Sequence, residues 1–240
     1  MESPQSLHSA RAALHRVGVH IVARSRVERE ERFSLRVTPG GFGTPDHGAD
    51  GRRVRISGDR LIVESDAVGS PSARSSAIDG TTLRELAQWA GVDLANPLDV
   101  GNDTPELGDI DVALRVDVDG ARSLASWYGD VAQMLDLVLA ELPSSAAATL
   151  PRLWPEHFDV AIEANARVDR RVNLGGSPGD GFSAEPYLYV GPWNSDRPGS
   201  TEFWNAPFGA TRMKSALTAS GDDLIAGGAA FLIDGFSRLL

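Results

Sequence analysis

Short segments in which apolar and polar residues alternate recur along this chain, and stretches rich in glycine and proline separate them. The segment 17–27 alternates in this way, and so does the segment 158–164, whose intervening residues include two carboxylates. Because successive side chains of a strand point to opposite faces, this alternation predicts strands with one buried face. The glycine- and proline-rich stretches 38–45 and 177–187 then predict loops between strands. Together these patterns predict a largely antiparallel sheet.

Local signals add a hairpin and several helices. Gly58-Asp59 separates two further strand-like segments, 52–57 and 60–64, and is typical of a two-residue hairpin turn. Apolar residues recur every three or four positions in other segments, which predicts helices there. These helical segments are 7–16, 82–90, about 119–142 and about 222–240. Residues 66–80 are predicted to be an exposed loop, and 92–111 are irregular. The expected class is therefore α+β, with the helices covering one face of the sheet.

A shift of 139 residues aligns the segment 19–24 with 158–163 without a gap, and the phase of the alternation agrees. A Thr/Ser-Pro-Gly turn then follows at the same distance in both copies. We therefore expect internal duplication, with similar strand–hairpin–loop–helix halves at 1–143 and 150–240. The two halves are expected to form a single compact unit over 1–240.

The same shift places two basic residues opposite two acidic ones. His20 falls on Asp159, and Arg24 falls on Glu163. If the apolar faces of both hairpins are covered by helices, their polar faces are left to approach each other. We therefore expect His20 or Arg24 to lie within contact range of Asp159, Glu163 or Asp180.

Polar and aromatic residues are densest in the segment 154–193. We predict that this cluster, together with the basic pair of the first half, lines a ligand pocket. The candidate ligand-binding residues are His20, Arg24, Trp154, His157, Asp159, Glu163, Asp180, Glu185, Tyr187 and Trp193.

Other interpretations of this cluster remain open. A strand that carries His157, Asp159 and Glu163 on one face could hold a divalent metal, or two carboxylates could share acid–base chemistry. The same residues could instead form a hydrated sheet face paired with arginines. The chain contains none of the usual metal-binding or nucleophile motifs, so we assign no metal ligand and no catalytic residue.

Composition excludes several classes of protein. The 240 residues include no cysteine, which excludes disulfides and thiolate metal sites. A formal net charge of -10 argues against a nucleic-acid partner, and no apolar run is long enough for a membrane helix. The first residues have no apolar core typical of a secretory signal, so we expect a soluble, cytoplasmic protein.

The favoured function is the binding of a small molecule in a polar and aromatic pocket of the second half. A carboxylate- or metal-dependent enzyme is the first alternative, and a structural or protein-interaction module is the second. The sequence indicates neither a cofactor nor an oligomeric state.

The second half also resembles a known family. Residues 153–159, 177–180 and 185–187 are similar to the Leu-Trp-Pro-x-His-Phe-Asp, Ser-Pro-Gly-Asp and Glu-Pro-Tyr runs of the domain-of-unknown-function 5996 family. The first half, with its loop 38–45, resembles a group of bacterial proteins that carry both halves. The resemblance implies no activity, substrate or cofactor, because the family supplies none.

Overall fold

The computed structural model describes residues 4–46, 48, 50–96, 98–219 and 223–240. In this part of the chain, the strands form two five-stranded antiparallel sheets, accompanied by helices. The predicted α+β class is therefore confirmed.

Contacts divide the chain into two compact units that interleave along the sequence. The first unit comprises Met1–Ser126 and Leu153–Phe158, and the second comprises Trp127–Arg152 and Asp159–Leu240. The division therefore does not coincide with the boundary between the expected halves 1–143 and 150–240.

The first sheet has the strand order β1-β2-β3-β4-β5, so each strand pairs with its neighbour in the sequence. Its strands are β1 (Arg36–Thr38), β2 (Gly41–Gly43), β3 (Arg53–Ser57), β4 (Arg60–Ser65) and β5 (Ser72–Ala77). The predicted hairpin is confirmed, since Ser57 lies opposite Arg60 across the Gly58-Asp59 turn. Two strands were not predicted: β2 lies in the glycine-rich stretch, and β5 lies in the expected loop 66–80.

The segment 17–27, predicted to be a strand, is helical. Helix α1 (Pro4–Val17) continues through a π-helical turn (Gly18–Ala23) into α2 (Arg24–Glu30). All six residues of the π-helical turn are buried. Because all six residues are buried, the apolar pattern of this turn did not report which face is covered, and tertiary packing overrode the strand propensity of its valines.

This helix also corrects the predicted equivalence of the two hairpins. The segment that the shift of 139 residues aligns with the helical residues 19–24 forms the start of strand β7 (Asp159–Arg167). The two aligned segments therefore follow different backbone paths, and His20 does not occupy a strand position. The partners of His20 and Arg24 described below are all residues of the first unit.

Helix α3 (Leu83–Ala90) of the first unit begins and ends as its sequence predicts. It starts at Thr82, whose side chain accepts a hydrogen bond from the backbone N–H of Glu85 while the Glu85 carboxylate binds back to Thr82. Gly91, with φ +69°, ends this helix. Helix α4 (Val118–Glu141) starts in the first unit and enters the second at Trp127.

The second sheet has the strand order β10-β9-β8-β7-β6. Its strands are β6 (Arg152–Trp154), β7, β8 (Arg170–Ser177), β9 (Tyr187–Pro192) and β10 (Ala210–Met213). Helices α5 (Lys214–Ala219) and α6 (Leu224–Arg238) follow. Only glycine lets α4 and α6 approach one face of the sheet this closely: a Cβ at Gly176 would lie 2.5 Å from Val131, and one at Gly235 would lie 2.5 Å from Val190.

The opposite face of the second sheet carries polar and aromatic side chains. The register places Gly175 opposite Tyr189 and Ser177 opposite Tyr187, and it places Ala161 opposite Gly175. Since side chains alternate, Asp159, Tyr187 and Tyr189 share this face. The second unit thus has helices on one side of its sheet, as predicted, and a tyrosine–carboxylate surface on the other.

Candidate functional site: a groove beside His20 in the first unit

Three basic residues on one side of the long N-terminal helix hold the irregular segment that follows α3. Arg16, His20 and Arg24 are spaced four apart, which aligns them along the helix. Arg16 Nη2 donates to the Leu107 carbonyl at 2.5 Å, and Arg24 donates to the Asn96 carbonyl. The segment is therefore positioned through its backbone carbonyls, which every residue type possesses.

His20 lies between the two arginines and is almost completely buried, with 1% of its surface exposed. Its Nε2 lies 2.8 Å from the Pro105 carbonyl oxygen. Because a carbonyl only accepts, Nε2 carries the proton, and Nδ1 of the neutral ring is an acceptor. Burial, and then the charges of Arg24 and Arg16, lower the pKa of His20, which keeps the ring neutral.

The Nδ1 atom of His20 is buried and has no hydrogen-bond partner among the described residues. A buried polar atom without a partner is uncommon, because its loss of hydration is not compensated. The π-helical turn that contains His20 is also a rare element, and such turns are frequent at functional sites. Both features single out this position.

A groove of about 490 Å³ opens at His20. Its wall is formed almost entirely by the segment that the three basic residues hold. The lining residues are His20, Leu98, Asp99, Gly101, Asn102, Thr104, Pro105, Glu106 and Leu107. This volume falls in the range of small-molecule sites. Leu98, Pro105 and Leu107 supply its apolar surface.

The two carboxylates that line the groove differ in their surroundings. Asp99 Oδ1 accepts the backbone N–H of Gly101 at 3.0 Å, which stabilises the turn. Glu106 is exposed, and its carboxylate makes no hydrogen bond or ion pair within the described ranges. Thr104 supports the same turn, since its hydroxyl accepts the N–H of Val100 at 3.1 Å.

Residues just before strand β7 support the groove segment from another side. His157 Nδ1 lies 2.8 Å from the Asp103 carboxylate, and both side chains are exposed. Glu156 packs on Gly101, where a Cβ would lie 3.2 Å from its side chain. Burial raises the pKa of the Glu156 carboxyl, and its Oε2 is buried without a hydrogen-bond partner in the described part of the chain.

His15 forms a second buried imidazole on the same helix. Its ring stacks on Phe158 with the centroids 4.5 Å apart, and its Nε2 donates to the Pro155 carbonyl at 2.7 Å. Burial lowers the pKa of His15 from 6.5 to about 4. The neutral His15 ring therefore acts as a hydrogen-bond donor that helps to hold residues 155–158 in place.

In the second unit, the predicted carboxylates are engaged by neighbouring side chains. Asp159, 4% exposed, accepts a hydrogen bond from the Tyr189 hydroxyl. Asp180 accepts from Tyr187 at 2.5 Å, from the Ser177 hydroxyl at 3.1 Å, and from the backbone N–H groups of Phe182 and Ser183. Asp180 thus anchors its own loop.

The tyrosine that binds Asp180 is held in its neutral form. Burial, and then the hydrogen bond to Asp180, raise the pKa of Tyr187. The phenol therefore serves as a hydrogen-bond donor to the loop carboxylate. This accounts for the Tyr187–Asp180 pair without a ligand.

The remaining predicted residues of the second unit also have local partners. Glu163 pairs with Arg171, whose guanidinium lies 4.3 Å from the centre of the Trp193 ring. Trp193 in turn donates to the Asn173 side chain at 2.8 Å. Glu185 accepts from the backbone N–H of Ser215 at the start of α5. Glu163 is therefore a carboxylate paired with an arginine on a sheet face, which is one of the alternative interpretations of the sequence.

The ten predicted site residues do not form one cluster. His20, Arg24, Trp154 and His157 belong to the first unit, and the other six belong to the second. Of the ten, His20 lines the groove. Trp154 is half-buried, with its ring 6.2 Å from that of Phe33. His157 precedes β7 and so does not share a strand face with Asp159 and Glu163, as the sequence had suggested.

Sequence reasoning missed the groove residues Asp99, Thr104 and Glu106. They lie in a segment that was predicted to be irregular, which is what the structure contains. The segment has no periodicity or motif, and the interactions that shape it come from residues about 85 positions earlier in the chain.

Within the described ranges, no three His, Asp or Glu side chains are grouped as ligands for a metal ion. The helices in those ranges are too short or too polar to cross a membrane.

Comparison of the chain with protein-family models, with curated proteins and with solved structures gives no match. The resemblance to the domain-of-unknown-function 5996 family therefore stays a prediction.

Proposed function

We propose that this protein binds a small organic molecule in the groove beside His20. The observation that carries the proposal is that His20, a residue that lines a groove of about 490 Å³, has a buried Nδ1 acceptor with no partner among the described residues. A ligand that donates a hydrogen bond to Nδ1 would compensate this atom for its lost hydration.

The surroundings of His20 support recognition rather than simple packing. The hydrogen bond from Nε2 to the Pro105 carbonyl fixes both the tautomer and the ring orientation. Arg16 and Arg24 hold the segment on either side of this contact. The acceptor is thus preorganised before a ligand arrives, which reduces the entropic cost of binding.

This proposal keeps the function that the sequence favoured and moves its location. The sequence suggested the second half, around the loop 177–187. There, Asp159 and Asp180 are each engaged by a tyrosine, and Glu163 is engaged by an arginine. A cytoplasmic location is also proposed, and the absence of cysteine supports it.

The test uses ¹H–¹⁵N correlation NMR with a set of small molecules that includes cations, anions and neutral compounds. At least one compound should shift the backbone amides of residues 98–107, apart from that of Pro105. The variant His20→Gln is the matched comparison, because its amide N–H can still reach the Pro105 carbonyl while the Nδ1 acceptor is removed.

In this experiment, His20→Gln should lose the response to any compound that binds the unmodified protein. The proposal is contradicted if no compound shifts the groove amides at millimolar concentration. It is also contradicted if the variant, folded by its own spectrum, binds as tightly as the unmodified protein.

A further inference from the structure

Three of the side chains that line the groove, those of His20, Asp99 and Glu106, carry acceptors, while Asn102 and Thr104 carry groups that both donate and accept. The charged residues among them are Asp99 and Glu106, both acidic. Nδ1 of His20 accepts as well, since Nε2 holds the ring proton against the Pro105 carbonyl. A ligand that donates hydrogen bonds and carries positive charge complements His20, Asp99 and Glu106.

The charges of the nearest basic side chains oppose a proton on His20, but these side chains form no part of the groove wall. Arg16 and Arg24 flank His20, but neither lines the groove. The guanidinium of Arg16 donates to the Leu107 and Asp109 carbonyls, and that of Arg24 donates to the Asn96 carbonyl. The Nη2 groups of both side chains are directed at the backbone of the segment, whereas their Nε atoms are buried without a hydrogen-bond partner among the described residues.

The groove also has an apolar wall, formed by Leu98, Pro105 and Leu107. A bare metal ion would leave this wall without a partner, whereas an organic cation could place its hydrocarbon part there. Glu106 is positioned for the charged part, because its exposed carboxylate has no ion-pair partner in the described part of the chain.

We infer that the ligand of this groove is an organic amine in its protonated form. Its ammonium group donates to Nδ1 of His20 and is attracted by Asp99 and Glu106, and its hydrocarbon part packs on Leu98, Pro105 and Leu107. This inference rests on the proposed function and specifies the chemical class of the ligand.

The test compares three probes with the same ring and similar length: 2-phenylethylammonium, 2-phenylethanol and 3-phenylpropanoate. Affinities are measured by NMR titration of the groove amides at neutral pH and low salt. The ammonium probe should bind about tenfold more tightly than the alcohol, because charge-assisted hydrogen bonds are roughly twice as strong as neutral ones. The carboxylate probe should bind most weakly.

Glu106→Gln supplies the variant, and Glu202→Gln supplies its control. Both replace an exposed glutamate and change the net charge equally, but Glu202 lies in the second unit and does not line the groove. Glu106→Gln should weaken the ammonium probe about three- to tenfold and leave the alcohol unchanged, and Glu202→Gln should change neither.

The outcomes separate the two proposals. If the alcohol or the carboxylate binds the groove as tightly as the ammonium probe, the inference of a cationic ligand is overturned and the groove remains a binding site. Equal loss of ammonium affinity in both glutamine variants would also overturn it. If none of the probes and none of the wider set of compounds shifts the groove amides, the proposed function itself fails.

Discussion

Acidification is expected to destabilise the first unit through His15. Burial holds the pKa of this imidazole at about 4 in the folded protein, against 6.5 for the unfolded chain. Between these values the unfolded state binds a proton that the folded state does not, so the free energy of unfolding rises with pH. The contribution of His15 to the free energy of unfolding is therefore complete above about pH 6.5 and is lost as the pH falls toward 4. The separation of the two pKa values corresponds to about 3 kcal/mol.

The assay is urea unfolding at a series of pH values from about 4 to 7.5, with the variant His15→Gln as the comparison. Glutamine can keep an N–H donor near the Pro155 carbonyl, but it does not titrate. In this window, the slope of the unfolding free energy against pH should be smaller in the variant than in the unmodified protein, by up to about 1.4 kcal/mol per pH unit. The variant should also be less stable at pH 7, since the stacking on Phe158 is lost.

His8→Gln is the control, because it removes an exposed imidazole of the same helix. The control should keep the pH dependence of the unmodified protein. The reasoning is refuted if His15→Gln retains the full slope, or if His8→Gln reduces the slope by as much.

Three further changes probe the packing and the caps. Thr82→Ala removes the capping box of α3 and should lower the unfolding free energy by about 1 kcal/mol in urea unfolding; no change would contradict the cap. Asp180→Ala removes the acceptor that Tyr187 and the loop N–H groups share, so limited proteolysis should cut residues 178–186 faster, and an unchanged rate would count against the anchor. Gly176→Ala should destabilise by about 1–3 kcal/mol, because its Cβ would lie 2.5 Å from Val131, whereas Gly227→Ala in α6 meets open space and should stabilise by roughly 0.5–1 kcal/mol; equal melting temperatures would refute the contrast.

Local chemistry made some elements predictable from the sequence. The Gly58-Asp59 turn sets its own hairpin, because glycine adopts the positive φ of +58° that this turn requires. Thr82 and Gly91 delimit α3 for similarly local reasons. The apolar stripe of α4 was readable because this helix has one buried side and one exposed side.

Other features depend on contacts that are distant in the sequence. The turn Gly18–Ala23 is buried on all sides, so its alternating pattern carried no information on which face is covered. The groove forms because side chains of the N-terminal helix donate hydrogen bonds to backbone carbonyls of residues 96–109. Every residue type has a backbone carbonyl, so the sequence does not reveal these contacts. The segment 154–193 is indeed rich in polar groups. Its members, however, belong to different units and take structural partners.

The resonances of the two His20 ring nitrogens test the account most directly. Long-range ¹H–¹⁵N NMR distinguishes a protonated ring nitrogen from an unprotonated one. In the free protein, Nε2 should be protonated and Nδ1 should be an unprotonated acceptor, as the 2.8 Å contact with the Pro105 carbonyl requires. Addition of 2-phenylethylammonium should shift the Nδ1 resonance and leave Nε2 protonated. A free protein with its proton on Nδ1, or an Nδ1 resonance that does not respond to the probe at saturation of the groove amides, would contradict the account.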